Sequence, residues 1–190
     1  MKFTVPALLT PLAVLALSAC GSSPPTRFFV LSVVPPAHRS AAAASVPIKL
    51  SAVHLPDLLD RLQIVAAAGP NQIKLRSEDQ WAAPLDDMTR RVLGQDLEER
   101  LPAGSVVFPR SPAPKGTRDL VVELQAFGLD ASGQARLDGD WALVGPDRKP
   151  VVSREVRLSE PAAGAAAASQ AAAMSRLLGR LADQIAETAD

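Results

Sequence analysis

Hydrophobic and polar positions follow two different periods along this chain, and the switch between them marks out its elements. From Pro84 onward Leu85, Met88, Val92, Leu93, Leu97 and Leu101 recur at spacings of three and four, which builds one apolar face on a helix. Asp86 and Asp87 fall in its first turn and Arg100 in its last, each suited to the helix dipole, and Pro102 stops the run. Gly94 inside it costs roughly 1 kcal/mol of helix propensity. A second helix is predicted over residues 165–188, Ala-rich and therefore helix-favouring, with Met174, Leu178, Leu181 and Ile185 along one side. The alanine run at residues 162–173 is of low complexity, which leaves its first turn open to fraying.

Elsewhere the period is two. Phe28 to Val34 is apolar and aromatic enough for a first strand, ended by Pro35 and Pro36, and residues 37–46 read as a surface loop. Ile48, Leu50 and Ala52 alternate with Lys49 and Ser51 in a half-buried strand. Gln63 to Ala67 and Gln72 to Leu75 predict a hairpin around Gly69, Pro70 and Asn71. After a Pro-rich loop at residues 109–118 come three strands. Val122, Leu124 and Ala126 share a face of the first; Leu137, Trp141 and Leu143 share a face of the second, opposite Arg136, Asp138 and Asp140; Val152, Val156 and Leu158 share a face of the third. Turns at Ala131-Ser132-Gly133 and Gly145-Pro146-Asp147 join them into an antiparallel meander. Two main helices and about six or seven strands make an α/β fold, a mixed and largely antiparallel sheet in a single domain. The order of the strands cannot be read from the pattern.

The first twenty residues have a different character. Lys2 precedes an apolar run from Phe3 to Leu17, and small residues lead to Cys20, the pattern of a signal peptide. The run is shorter than the roughly 20 residues a spanning helix needs. Leu17-Ser18-Ala19-Cys20 resembles the lipobox of bacterial lipoproteins, whose cysteine becomes the acylated first residue. The expected organisation is therefore a signal peptide at 1–19, a lipidated Cys20 with a tether to residue 27, and a folded domain over 28–190. The tether, Gly-Ser-Ser-Pro-Pro-Thr-Arg, is too rich in proline and small polar residues for regular structure. Several acyl chains of the palmitate type on one cysteine anchor stably, whereas a single chain binds marginally. In envelopes that sort lipoproteins as enteric bacteria do, Gly21 rather than Asp after the cysteine points to the outer membrane. The remaining 171 of 190 residues carry 19 basic and 20 acidic side chains, so there is no basic excess to bind nucleic acid. With one cysteine, internal disulfides are excluded.

No catalytic constellation emerges. His38 and His54 are the only histidines and have no cysteine or second histidine at ligand spacing, so no metal site is assigned. The eleven glycines are scattered and none precedes a Lys-Ser or Lys-Thr pair in a phosphate loop. The pairs Asp86/Asp87 and Glu98/Glu99 read as dipole complement and solvated helix face rather than acid–base machinery. Trp81 and Trp141 read as core residues. No catalytic residue and no cofactor are assigned.

Against this background the chain resembles the ABC-type transport auxiliary lipoproteins, the PqiC-like family. The resemblance lies in Phe28-Phe29-Val30-Leu31, in the block Leu55-Pro56-Asp57-Leu58-Leu59-Asp60-Arg61-Leu62-Gln63-Ile64-Val65, in Trp81-Ala82-Ala83-Pro84-Leu85, and in Phe127 and Trp141. It departs at Phe28-Phe29, where tyrosines are common, at Leu62, where proline is frequent, and at Ala83, where an acidic residue is usual. These departures leave open which partner this member serves. The resemblance implies a membrane-integrity subunit at the periplasmic face of the outer membrane, attached through its lipid and serving a system that moves hydrophobic molecules across the periplasm. Its implied partners are an MCE-domain protein forming the conduit and inner-membrane transporter subunits. A homo-oligomer would suit a multimeric conduit, but no coiled-coil repeat predicts one. Asp60 and Arg61, beside a Pro-containing turn, are the candidate partner-binding residues. The competing reading of the two is an internal Asp–Arg pair or a clasp within the loop. The competing function is a structural assembly or pilot lipoprotein for another outer-membrane complex.

Overall fold

The computed structural model describes residues 24–36 and 46–189. Cys20, Gly21 and His38, the signal peptide, the first residues of the tether and most of the predicted loop at 37–46 lie outside them. In chain order the strands are β1 (Arg27–Phe29), β2 (Ile48–His54), β3 (Gln63–Gly69), β4 (Gln72–Trp81), β5 (Val106–Val107), β6 (Arg118–Leu129), β7 (Gln134–Val144) and β8 (Pro150–Pro161). The helices are α1 (Leu85–Arg100) and α2 (Ala167–Ala189). The architecture is the expected α/β class, with a mixed sheet packed by two helices. The sheet has eight strands because the two-residue β5, too short to show a period, adds to those read from the pattern.

The long pairings are antiparallel: β6 with β7, β7 with β8, and the β3–β4 hairpin. Parallel pairings join β2 to β5 and β6, β1 to β4, and β3 to β6. With β7 along one edge of β6, the other edge is divided. β2 takes its first half, ending at His54 opposite Glu123, and β3 meets its end only through Ala66 opposite Leu129. The sheet thus forks, and residues 55–62 bridge the gap between the branches.

Both helices pack on one face of the sheet. Every apolar position expected on the first helix is buried, as are Met174, Leu178, Leu181 and Ile185 on the second. Trp81 and Trp141 are core residues. In the meander, Ala135, Leu137, Trp141 and Leu143 face the helices, while Arg136, Asp138 and Asp140 alternate with them on the other side. Two facial assignments need correction. A bulge between Leu124 and Ala126 shifts the register so that Phe127, not Ala126, is the next inward residue. A bulge between Leu50 and Ala52 does the same for Val53.

Two other features depart from the pattern reading. The predicted strand Phe28–Val34 ends at Phe29, and residues 30–36 leave the sheet as an irregular segment with Leu31 buried. Gly94 is also more than a weak helix residue. A β-carbon there would come within 2.9 Å of Cε1 of the Phe108 ring, so the glycine makes room for an aromatic ring beside α1. At the β6–β7 turn, the Asp130 carboxylate accepts hydrogen bonds from the Ser132 and Gln134 amides at 2.8 and 3.0 Å, and Gly133 takes φ +82°. The Ser132 hydroxyl, bonded to the same carboxylate, contributes most to lowering its pKa.

Candidate functional site

The fork in the sheet is bridged by the block that contains Asp60 and Arg61. Pro56 sets up a single 3-10 turn, Asp57–Leu59, closed by the Leu59 amide on the Pro56 carbonyl at 2.8 Å and the Asp60 amide on the Asp57 carbonyl at 3.1 Å. Arg61 Nε donates to the Leu58 carbonyl at 2.8 Å and folds the guanidinium back onto the turn. The Asp60 carboxylate is exposed and has no ion-pair partner among the described residues. The two candidates are therefore adjacent in sequence but differ in surroundings: Arg61 clasps the loop, and Asp60 is held outward by it.

The turn separates two concave surfaces. On one side Val53, His54, Leu55, Asp57, Leu59, Asp60, Leu85 and Asp86 surround a depression of about 200 Å³. Three carboxylates and no lysine or arginine line it, so its potential is negative and complements a cationic partner. No group of described residues has the arrangement of a metal site. On the other side Pro56, Leu58, Leu59, Val65, Ala67, Ile73 and Phe127 line an apolar groove of about 320 Å³, bordered by the ion pair of Arg136 and Asp138 at 2.8 Å. The groove exists because β6 has no strand beside it between the ends of β2 and β3. Apolar side chains of the turn and hairpin partly fill that gap.

A third feature lies between the helices and holds the segment leading in from the tether. The Val34 amide donates to Asp96 Oδ1 at 2.8 Å, and the Val34 carbonyl accepts from Arg100 Nη1 at 3.1 Å. Arg100 also reaches the Asp96 carbonyl at 2.9 Å and Asp183 Oδ1 on α2 at 2.6 Å. The Ser32 amide donates to Ser175 Oγ at 3.1 Å. Gly179 leaves space for the crossing, since a β-carbon there would lie 3.0 Å from Val34 Cβ and 3.2 Å from Arg100 Nη2. Burial raises the Asp96 carboxyl to about 6, against the opposing pull of the Val34 amide and the Arg100 charge. In the sequence Arg100 reads only as a dipole complement, and Asp96 is not singled out. The missed signal is their i,i+4 spacing alongside the apolar face of α1.

These sites sit in a domain with the span of a known family. Residues 29–186 match the family described as ABC-type transport auxiliary lipoprotein component. The chain belongs to this family. It is thus a lipoprotein component auxiliary to ABC-type transport, and the match covers every described element except the first residues of β1 and the end of α2. No helix among the described residues is long and apolar enough to cross a membrane. The fold recurs in a solved uncharacterized protein, 18% identical with a TM-score of 0.71, over 88% of this chain and 100% of that one. It recurs also in a DUF330-family protein from Xanthomonas campestris, 18% identical with a TM-score of 0.68, over 86% and 95% of the two chains. No curated protein matches the chain.

Proposed function

We propose that this auxiliary lipoprotein is anchored through Cys20 at the periplasmic face of the outer membrane and docks the end of an MCE-domain conduit. In that role it keeps a route for lipid or other hydrophobic molecules in register with inner-membrane transporter subunits. The observation that carries the reading is the family match across the folded domain. Such a role asks for binding rather than covalent chemistry, and the turn with its acidic depression supplies a polar contact surface. Asp60 offers an unengaged carboxylate beside Asp57 and Asp86, while Arg61 keeps the turn in shape. Desolvating such a carboxylate against a lysine or arginine gives both specificity and a penalty for the wrong partner.

Asp60→Lys tests the contact, because the side chain has no ion pair among the described residues to lose and the change is expected to leave stability within about 0.5 kcal/mol. Recovery of the conduit protein with the purified lipoprotein is expected to fall at least about ten-fold, the equivalent of 1.4 kcal/mol of binding. Reversal of both charges, Asp60→Lys with Arg61→Glu, in a folded protein that still recovers its partners in full would remove this turn from the interface.

A further inference from the structure

The large hydrophobic side chains left exposed among the described residues are Phe28, Val30, Leu58, Leu62, Ile73, Leu75 and Val151. Single exposed hydrophobics scattered over a surface are ordinary. These are not scattered: all but Val151 and Val30, the residue that follows β1, belong to the β1–β4–β3 branch of the fork or to the turn segment that borders it. Strand register places the strand residues on one side. Ala66 opposite Leu129 faces the helices, so Val65 and Ala67 face away, and with them Leu75 and Ile73, their direct partners on β4. Phe29 pairs with Trp81 and packs on the core, which turns Phe28 to the helix-free side. Val65 is itself buried, and Phe28, Ile73 and Leu75 are the large apolar side chains that this face leaves exposed among the described residues.

The chain itself indicates what covers it. Phe28 follows Cys20 by eight residues, and eight extended residues reach at most about 28 Å. A lipid on Cys20 thus holds the start of this branch close to the bilayer. Arg27, which precedes Phe28, is paired with Asp79 at 2.6 Å, and both it and Lys74 alternate with Phe28, Ile73 and Leu75 onto the other side of the branch, leaving the outward positions apolar. The carboxylates of the turn, Asp57 and Asp60, line the depression on its other side. We infer that the helix-free face of β1, β4 and β3 is a second, non-covalent membrane contact, resting on the phospholipid surface that holds the Cys20 acyl chains. The contact converts a flexible tether into a defined orientation of the domain. This inference rests on the lipoprotein reading of Cys20 and adds to it a surface, a set of residues and a ligand class.

The test uses the full-length lipidated protein in phosphatidylethanolamine–phosphatidylglycerol vesicles. Acylation of Cys20 is first established from the mass of its N-terminal peptide. Phe28→Cys, Ile73→Cys and Val151→Cys each then carry a bimane label, with Val151 as the exposed hydrophobic outside the branch. Nitroxide-bearing lipids are expected to quench the labels at 28 and 73 at least two-fold more than the label at 151. Uniform quenching with Cys20 acylated overturns the membrane contact and leaves the anchor standing. Protection of 28 and 73 that rises with protein density at fixed lipid and ignores the nitroxide assigns the face to a second copy and also overturns it. An unacylated Cys20 removes the anchoring reading and this inference together.

Discussion

Arg100→Met is expected to destabilise the fold by about 3–5 kcal/mol, lowering Tm by roughly 10 °C for a domain of this size. The loss comes from what the side chain leaves behind more than from its own contacts. Asp96 is wholly buried and Arg100 is 3% exposed, so removing the guanidinium strands a carboxylate and the Val34 carbonyl in a dry environment. Asp183 is largely spared because its side chain is 45% exposed and rehydrates. Adding Asp96→Asn to Arg100→Met is expected to recover part of the loss, since the amide keeps an acceptor for the Val34 amide and carries no charge. Urea denaturation of the two single variants and the double variant measures the coupling.

The same residue sets a pH dependence. Burial raises the Asp96 carboxyl to about 6 in the folded chain, against 3.8 for an ordinary aspartate, so between those values the native state holds a proton that the unfolded chain has released. Its contribution to stability is full below about pH 4 and is lost as pH rises through 6. Asp96→Asn is expected to flatten this component of the profile, read as the difference between variant and wild type from pH 4 to 7. An unchanged difference across that range would show that burial does not govern this carboxyl.

Gly139→Ala is the second large effect. Gly139 lies opposite Leu124 on β6, next to the bulge that reorients Ala126 and Phe127. A β-carbon at 139 would collide with the Glu123 carbonyl oxygen and lie 2.9 Å from Leu124 Cα. Both obstacles are backbone, so relief requires the strands to part. The expected destabilisation is about 3 kcal/mol, at the upper end of ordinary overpacking, and Gly139→Val is expected to give no soluble folded protein. Near-wild-type denaturation of Gly139→Ala would mean that the bulge relaxes freely. By contrast, a β-carbon at Gly133 meets nothing within 4 Å, and the difficulty there is its φ of +82° alone.

Legibility in the sequence followed the range of the interactions. The two helices and the meander from β6 to β8 rest on local periodicity and short turns, and both were readable to within a few residues. Strand order was not, because β2 pairs with β6 some seventy residues away and nothing in a local pattern records a parallel partner. Leu31 to Val34 has the composition of a strand, yet the segment packs at the helix pair, where apolar side chains are buried equally well. Ala126 was placed inward by strict alternation, and a one-residue bulge sufficed to exchange it with Phe127. At the candidate site, the Pro56 turn and its charges were visible in the sequence. That Arg61 bonds its own loop while Asp60 stays unengaged depends on rotamers that only the folded turn determines. The Asp96–Arg100 clasp was concealed by its helix setting, where an i,i+4 acid–base pair ordinarily signals a solvated surface.

In the proposed role, a family domain on a lipid tether serves a transport system by binding. Extraction of the native lipidated protein in mild detergent, followed by mass-spectrometric identification of what copurifies with it, tests this most directly. An MCE-domain protein together with inner-membrane transporter subunits is the expected result. Recovery with a secretin or a β-barrel assembly partner alone would contradict the transport role and favour an assembly lipoprotein.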